Sequence, residues 1–77
     1  MMPRIYADEN DKTEDDCYML HMTGSLRDIE RYGDQLRPGM RVLFNVQDEF
    51  EVEGVLQYDA ANNIWLGRPD YSTRRDL

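Results

Sequence analysis

Two runs of apolar and polar alternation, set almost end to end, constrain this chain more than any other feature. Met40, Val42, Phe44 and Val46 alternate with Arg41, Leu43, Asn45 and Gln47. After Asp48-Glu49, Phe50, Val52, Leu56 and Tyr58 alternate with Glu51, Glu53, Val55 and Gln57. A period of two is the signature of a half-buried strand, because successive side chains leave a strand on opposite faces. Two such runs joined by so short a break predict an antiparallel hairpin. Asp48-Glu49 lacks the glycine of the tightest hairpins, so a looser reversal is expected. Gly54 falls on the inward parity in mid-strand, where glycine marks a bulge or a sharp bend.

The same pattern extends in both directions. Asp59-Ala60-Ala61-Asn62-Asn63 reads as a second hairpin loop, with Asn62 or Asn63 able to take the left-handed conformation. Ile64 to Gly67 is a third strand, limited by Pro69. Upstream, Leu36-Arg37-Pro38-Gly39 is a turn, with proline fixing φ at the second position and glycine accepting positive φ at the third. Ser25 and Asp28 have the spacing of a capping box, and Leu26, Ile29 and Tyr32 would line one side of a helix of about two turns ending at Gly33. Cys17 to Met22 is apolar on both parities, which suits a short strand covered on both sides.

The expected order is strand, short helix and three-strand meander. The fold class is mainly β: a small, strongly bent antiparallel sheet or SH3-like barrel with one short helix. An open antiparallel α+β sheet with the helix on one face is the alternative. At 77 residues the chain forms a single domain with a thin core. The single cysteine, Cys17, makes no internal disulfide and no thiolate metal cluster. Regular packing or a partner subunit must therefore stabilise the fold.

Charge divides the chain further. Its net charge is -7. Asp8, Glu9, Asp11, Glu14, Asp15 and Asp16 face only Arg4 and Lys12 within residues 1–16, so that segment is expected to be a flexible acidic leader. Arg4-Ile5-Tyr6 within it has the character of a short edge strand. The β-rich domain is expected over 17–71 and a polar tail over 72–77. Removing residues 1–15 would then leave the melting temperature nearly unchanged. No secretory signal or long apolar run is present, which suits a cytoplasmic protein with no membrane partner.

Catalytic chemistry finds little to work with. Cys17 and His21 lie four residues apart on one strand parity, roughly 13 Å at the usual rise, too far for a nucleophile and its base. The glycines are scattered, with no phosphate-binding spacing. No cofactor, no metal and no enzymatic activity are expected. Asp48, Glu49, Glu51 and Glu53 form the densest acidic edge, read mainly as a charged face that keeps an edge strand from pairing with other chains. Eight of the nine basic residues are arginine. Arg41 and Arg68, with Tyr58, Trp65 and Tyr71, would make a surface of charge and aromatic rings. If Ile64 and Leu66 face the core, Trp65 lies on the opposite face as an anchor for protein contacts. The leading expectation is a non-enzymatic protein-interaction or accessory module using that surface, with a homodimer as one form of partnership. The alternative is an RNA- or DNA-binding barrel using the arginine-aromatic face, against which the acidic charge weighs.

Overall fold

The alternating runs pair as their pattern requires. In the computed structural model, which describes residues 2–77, the chain forms strands β1 (Arg4–Ala7) and β2 (Tyr18–Met19), helix α1 (Thr23–Tyr32), then β3 (Arg41–Val46), β4 (Phe50–Asp59), β5 (Ile64–Pro69) and β6 (Arg75–Asp76). Single 3-10 turns occupy Gly33–Gln35 and Tyr71–Thr73. The sheet order is β1-β3-β4-β5-β2, with β6 beside β4. β1 runs parallel to β3, and every other pairing is antiparallel. The protein is mainly β, a strongly curled half-barrel sheet with one short helix.

The concave face carries the core. Ile5, Val42, Phe44, Val46, Val52, Leu56, Tyr18 and Leu20 are fully buried there. Phe44 lies over two glycines, Gly54 on β4 and Gly67 on β5. A Cβ on Gly54 would meet Phe44 Cε2 at 2.8 Å and Pro69 Cα at 2.9 Å, and a Cβ on Gly67 would enter the Phe44 ring. Tyr18 then closes edge-on against Phe44, with ring centroids 5.5 Å apart. The strand register runs through Gly54 without a bulge. Close approach of ring and backbone is what requires glycine here.

Several local expectations are corrected. The short edge strand expected at Arg4-Ile5-Tyr6 forms as β1, so this part of residues 1–16 is not a flexible leader, and Ile5 and Ala7 are fully buried. Residues 8–16 run as hydrogen-bonded turns, in which Thr13 N–H donates to Cys17 O at 2.8 Å and Met19 N–H to Asp11 O at 2.9 Å. The acidic average of the segment masked two apolar residues on one strand parity. The 72–77 tail is likewise bonded: Asp76 pairs with Phe50, Arg75 with Glu51, and Leu77 N–H donates to Glu49 O at 3.0 Å. Its side chains are exposed except for the half-buried Thr73, but its backbone completes an edge of β4. The folded unit therefore extends beyond 17–71 at both ends.

The reversal after β3 is tight. Glu49 N–H donates to Val46 O at 2.9 Å across Gln47 and Asp48, whose φ values are 53° and 59°. The Asn45 side chain substitutes for the missing glycine by bracing the turn: its Nδ2 donates to Asp48 Oδ1 at 2.8 Å, and its Oδ1 accepts from Asp48 N–H at 3.1 Å. The Arg37–Met40 turn forms as expected, with Gly39 at φ 90° and Met40 N–H donating to Arg37 O at 3.2 Å.

Helix α1 ends at Gly33, φ 51°, but does not start on a capping box. Ser25 and Asp28 turn instead to β1. Ser25 Oγ donates to Tyr6 O at 2.5 Å, Asp28 Oδ2 accepts from Tyr6 N–H at 2.9 Å, and Tyr32 OH accepts from Arg4 N–H at 3.1 Å. One stripe of the helix thus satisfies the outer backbone edge of β1, which would otherwise be open to another strand. Orienting the helix this way buries Ser25 and leaves Leu26, expected on the packed side, 53% exposed. Ile29 and Tyr32 do pack against the core.

Candidate functional site

Strand register decides where the aromatic residues point. Tyr58 pairs with Trp65 and Leu56 with Gly67, so Trp65 shares the concave parity of Leu56 and packs against the core while keeping part of its surface exposed. This reverses the expectation that Trp65 faces away from the core. Ile64-Trp65-Leu66 is apolar on both parities, and the pairing with β4, not the strand's own pattern, fixes its face. Tyr58, 42% exposed, meets Trp65 edge to face with centroids 5.0 Å apart.

Beside this pair lies a groove of about 350 Å³ between the start of α1 and the β4–β5 hairpin. Leu20, Ile64 and Trp65 supply its apolar wall, Leu26 its lip, and His21, Asn62 and Asn63 its polar rim. Asn63 takes φ 53° at the hairpin loop, and Asp59 braces that loop by accepting from Asn62 Nδ2 at 2.8 Å and Ala61 N–H at 3.1 Å. His21 Nε2 is hydrogen-bonded to the Asp11 carboxylate. Cys17 is buried and His21 exposed. The signal for Leu26 was its spacing of four from Met22, which places the two on one helical row.

The other candidates are placed elsewhere. Tyr71 joins a separate polar cluster, 3.0 Å from Tyr18 OH and 3.3 Å from Lys12 Nζ. Tyr18 OH donates to Glu9 Oε2 at 2.8 Å, and Lys12 donates to Glu9 Oε1 at 3.0 Å. Burial, reinforced by Tyr71 and Glu9, pushes the Tyr18 hydroxyl far up. Burial pushes Glu9 upward too, but the hydrogen bonds from Lys12 and Tyr18 outweigh it and hold the carboxyl below its usual value. This cluster fastens residues 8–16 to the core.

Arg41 and Arg68 both flank Val55, forming a row across three strands on the convex face, away from Trp65. Arg41 is bound to Glu53 at 3.0 Å and Asp70 at 3.4 Å. The acidic edge is occupied in the same way. Glu51 is buried between Arg75 at 2.5 Å and Arg4 at 2.8 Å, and hydrogen bonds from Arg75 and then Arg4 hold its carboxyl below the usual range. Asp48 is taken up by its turn, and Glu49 contributes backbone contacts to Val46 and Leu77. Of the five aromatic and arginine candidates, the structure therefore brings together Tyr58 and Trp65 and sets Tyr71, Arg41 and Arg68 apart from them.

Among the described residues no three His, Cys, Asp or Glu side chains are grouped to hold a metal ion. No protein-family model matches the chain, and comparisons with curated proteins and with solved structures return no match.

Proposed function

We propose that this protein is a non-enzymatic interaction module that binds a partner protein at the groove beside Trp65 and Tyr58. The observation that carries this reading is the half-exposed Leu26 at the lip of a groove walled by Trp65. Leu26, which lines the groove, is 53% exposed, and Tyr58, 42% exposed, packs edge to face on the Trp65 that walls it. An apolar side chain seated there covers surface that water otherwise wets, and rigid aromatic anchors lose little entropy on binding. The alternative of a nucleic-acid surface has less support. Arg4, Arg41, Arg74 and Arg75 are all engaged by carboxylates, so their charge is largely offset where phosphate binding would need it concentrated. No helix among the described residues is long and apolar enough to cross a membrane. A cytoplasmic setting fits the free thiol of Cys17.

The test is affinity capture from nuclease-treated native lysate, comparing wild type with Leu26→Glu. Leu26 is exposed, so the variant folds, which circular dichroism checks. A protein retained by wild type and lost with Leu26→Glu supports the reading. Equal retention by both removes the groove from the interaction, and capture that disappears only on nuclease treatment moves nucleic acid to first place.

A further inference from the structure

One side of β4 is covered by a segment that holds it lightly. Glu49, Glu51 and Glu53 turn their main chain toward that side: Glu49 O accepts from Leu77 N–H at 3.0 Å, Glu51 pairs with Arg75, and Glu53 O accepts from Asp70 N–H at 2.8 Å. Between Asp70 and Arg75 the chain leaves the edge through the 3-10 turn at Tyr71–Thr73, and Glu53 N–H donates to the Thr73 side chain, to Oγ1 at 2.8 Å. Residues 74–77 are all exposed, so the strap they form gains little from apolar burial.

Two side chains hold this strap besides its main chain. Arg75 Nη2 donates to Glu51 Oε1 at 2.5 Å, and the Arg74 guanidinium lies 3.9 Å from the centroid of the Phe50 ring. The Arg75 side chain is 75% exposed, so solvent screens its ion pair. Lifting the strap leaves Glu51 with a counter-charge, because Arg4 stays 2.8 Å from its Oε2. A segment held in this way opens well before the whole fold does.

We propose that this side of β4 is a docking edge for an extended, arginine-bearing strand of a partner protein, and that residues 74–77 are its built-in competitor. The resident strap displays the chemistry the edge accepts: main chain against Glu49 and Glu51, and a guanidinium on the buried Glu51 carboxylate. A partner strand adds a main-chain acceptor for Glu53 N–H. Two positions before its Glu51-bound arginine, it also presents a side chain to the cavity of about 300 Å³ walled by Leu43 and Glu53. Strands added to a sheet edge draw affinity from main-chain pairing and selectivity from alternate side chains. The strap of a second copy brings only contacts already made and forfeits the advantage of the tether.

Dye-labelled synthetic peptides test this against the full chain by fluorescence polarisation. One alternates arginine with valine, one alternates glutamate with valine, and the last is the arginine–valine peptide methylated on the main-chain nitrogen of each arginine, which removes its ladder donors. Saturable binding is expected of the first alone. Arg75→Ala, which loosens the strap, should tighten it about twofold to fivefold, the range of one exposed ion pair. Glu51→Gln added to that variant should weaken it severalfold. The Glu53 amide resonance should shift on binding, and Leu26→Glu should leave the affinity unchanged, since the groove beside Trp65 shares no lining residue with this edge. Circular dichroism checks that each variant is folded.

Equal binding of the methylated peptide overturns the proposal by showing charge attraction without strand addition. Equal binding of the glutamate–valine peptide overturns the role of Glu51 and with it the basic partner. No binding even to Arg75→Ala overturns the docking edge and leaves β6 as a permanent seal. A doubled molar mass of the wild-type chain by light scattering, lost with Arg75→Ala, overturns it in favour of strap exchange between two copies.

Discussion

Ser25 Oγ–H donates to the carbonyl of Tyr6 at 2.5 Å, joining the buried side of the helix to an edge strand nineteen positions earlier in the chain. The contact settles three things together: which side of α1 faces the sheet, why β1 offers no free outer edge at Tyr6, and why Leu26 is displaced to the lip of the groove. Gly24 makes the approach possible, since a Cβ there would stand 3.1 Å from the Tyr6 ring.

Replacing Ser25 with alanine leaves the Tyr6 carbonyl without that donor in a part-buried site. A loss of about 1–3 kcal/mol is expected, the cost of an unsatisfied buried polar group. Urea denaturation measures it. A variant as stable as wild type would show that the contact contributes nothing.

Gly67→Ala places a methyl group inside the volume of the Phe44 ring. The expected destabilisation is about 2 kcal/mol or more, because an overpacked core must shift side chains and backbone. Phe44→Leu in the same chain should recover part of that loss, a non-additive pair as expected for groups in direct contact. Strict additivity of the two substitutions would exclude the steric explanation.

Deleting residues 1–15 removes β1 together with the Glu9 and Lys12 contacts to Tyr18 and Tyr71. Burial of Ile5 alone is worth about 1.5–3 kcal/mol. For a domain this small the melting temperature should fall by about ten degrees or more. An unchanged transition would return the segment to the status of a dispensable leader.

Acid should weaken the fold through Glu51. Its folded pKa lies below the ordinary 4.5, chiefly because Arg75 and Arg4 donate to the ionised carboxylate. A depressed folded pKa means that the contribution is complete above the unfolded value and is lost as pH falls through the folded one. Denaturation midpoints of wild type and Glu51→Gln should therefore differ at neutral pH and converge as the solution is acidified below about pH 4. A difference that stays constant with pH would assign the effect to packing.

The sequence by itself determined the meander. Alternation at Met40–Val46 and Phe50–Tyr58, the Pro38-Gly39 turn and the helix end at Gly33 are each fixed by local physics: a period of two, a ring-locked φ, a residue without Cβ. Those features are legible because the residues that cause them lie within a few positions of one another. What only the tertiary structure decided depends on pairing across the chain. Trp65 could face either way until the register with Tyr58 set its side. Ser25 read as a helix cap until the Tyr6 carbonyl accepted its hydroxyl. Nothing local announces that Arg4 and Arg75 close on Glu51 from opposite ends of the chain. Residues 1–16, apart from the edge-strand character of Arg4-Ile5-Tyr6, read as a charged leader because composition averages over side chains, whereas order needs only one apolar face and a neighbour with unpaired backbone. The groove belongs to this second class: its wall comes from β5, its lip from α1 and its rim from two loops, and no local stretch of sequence contains it.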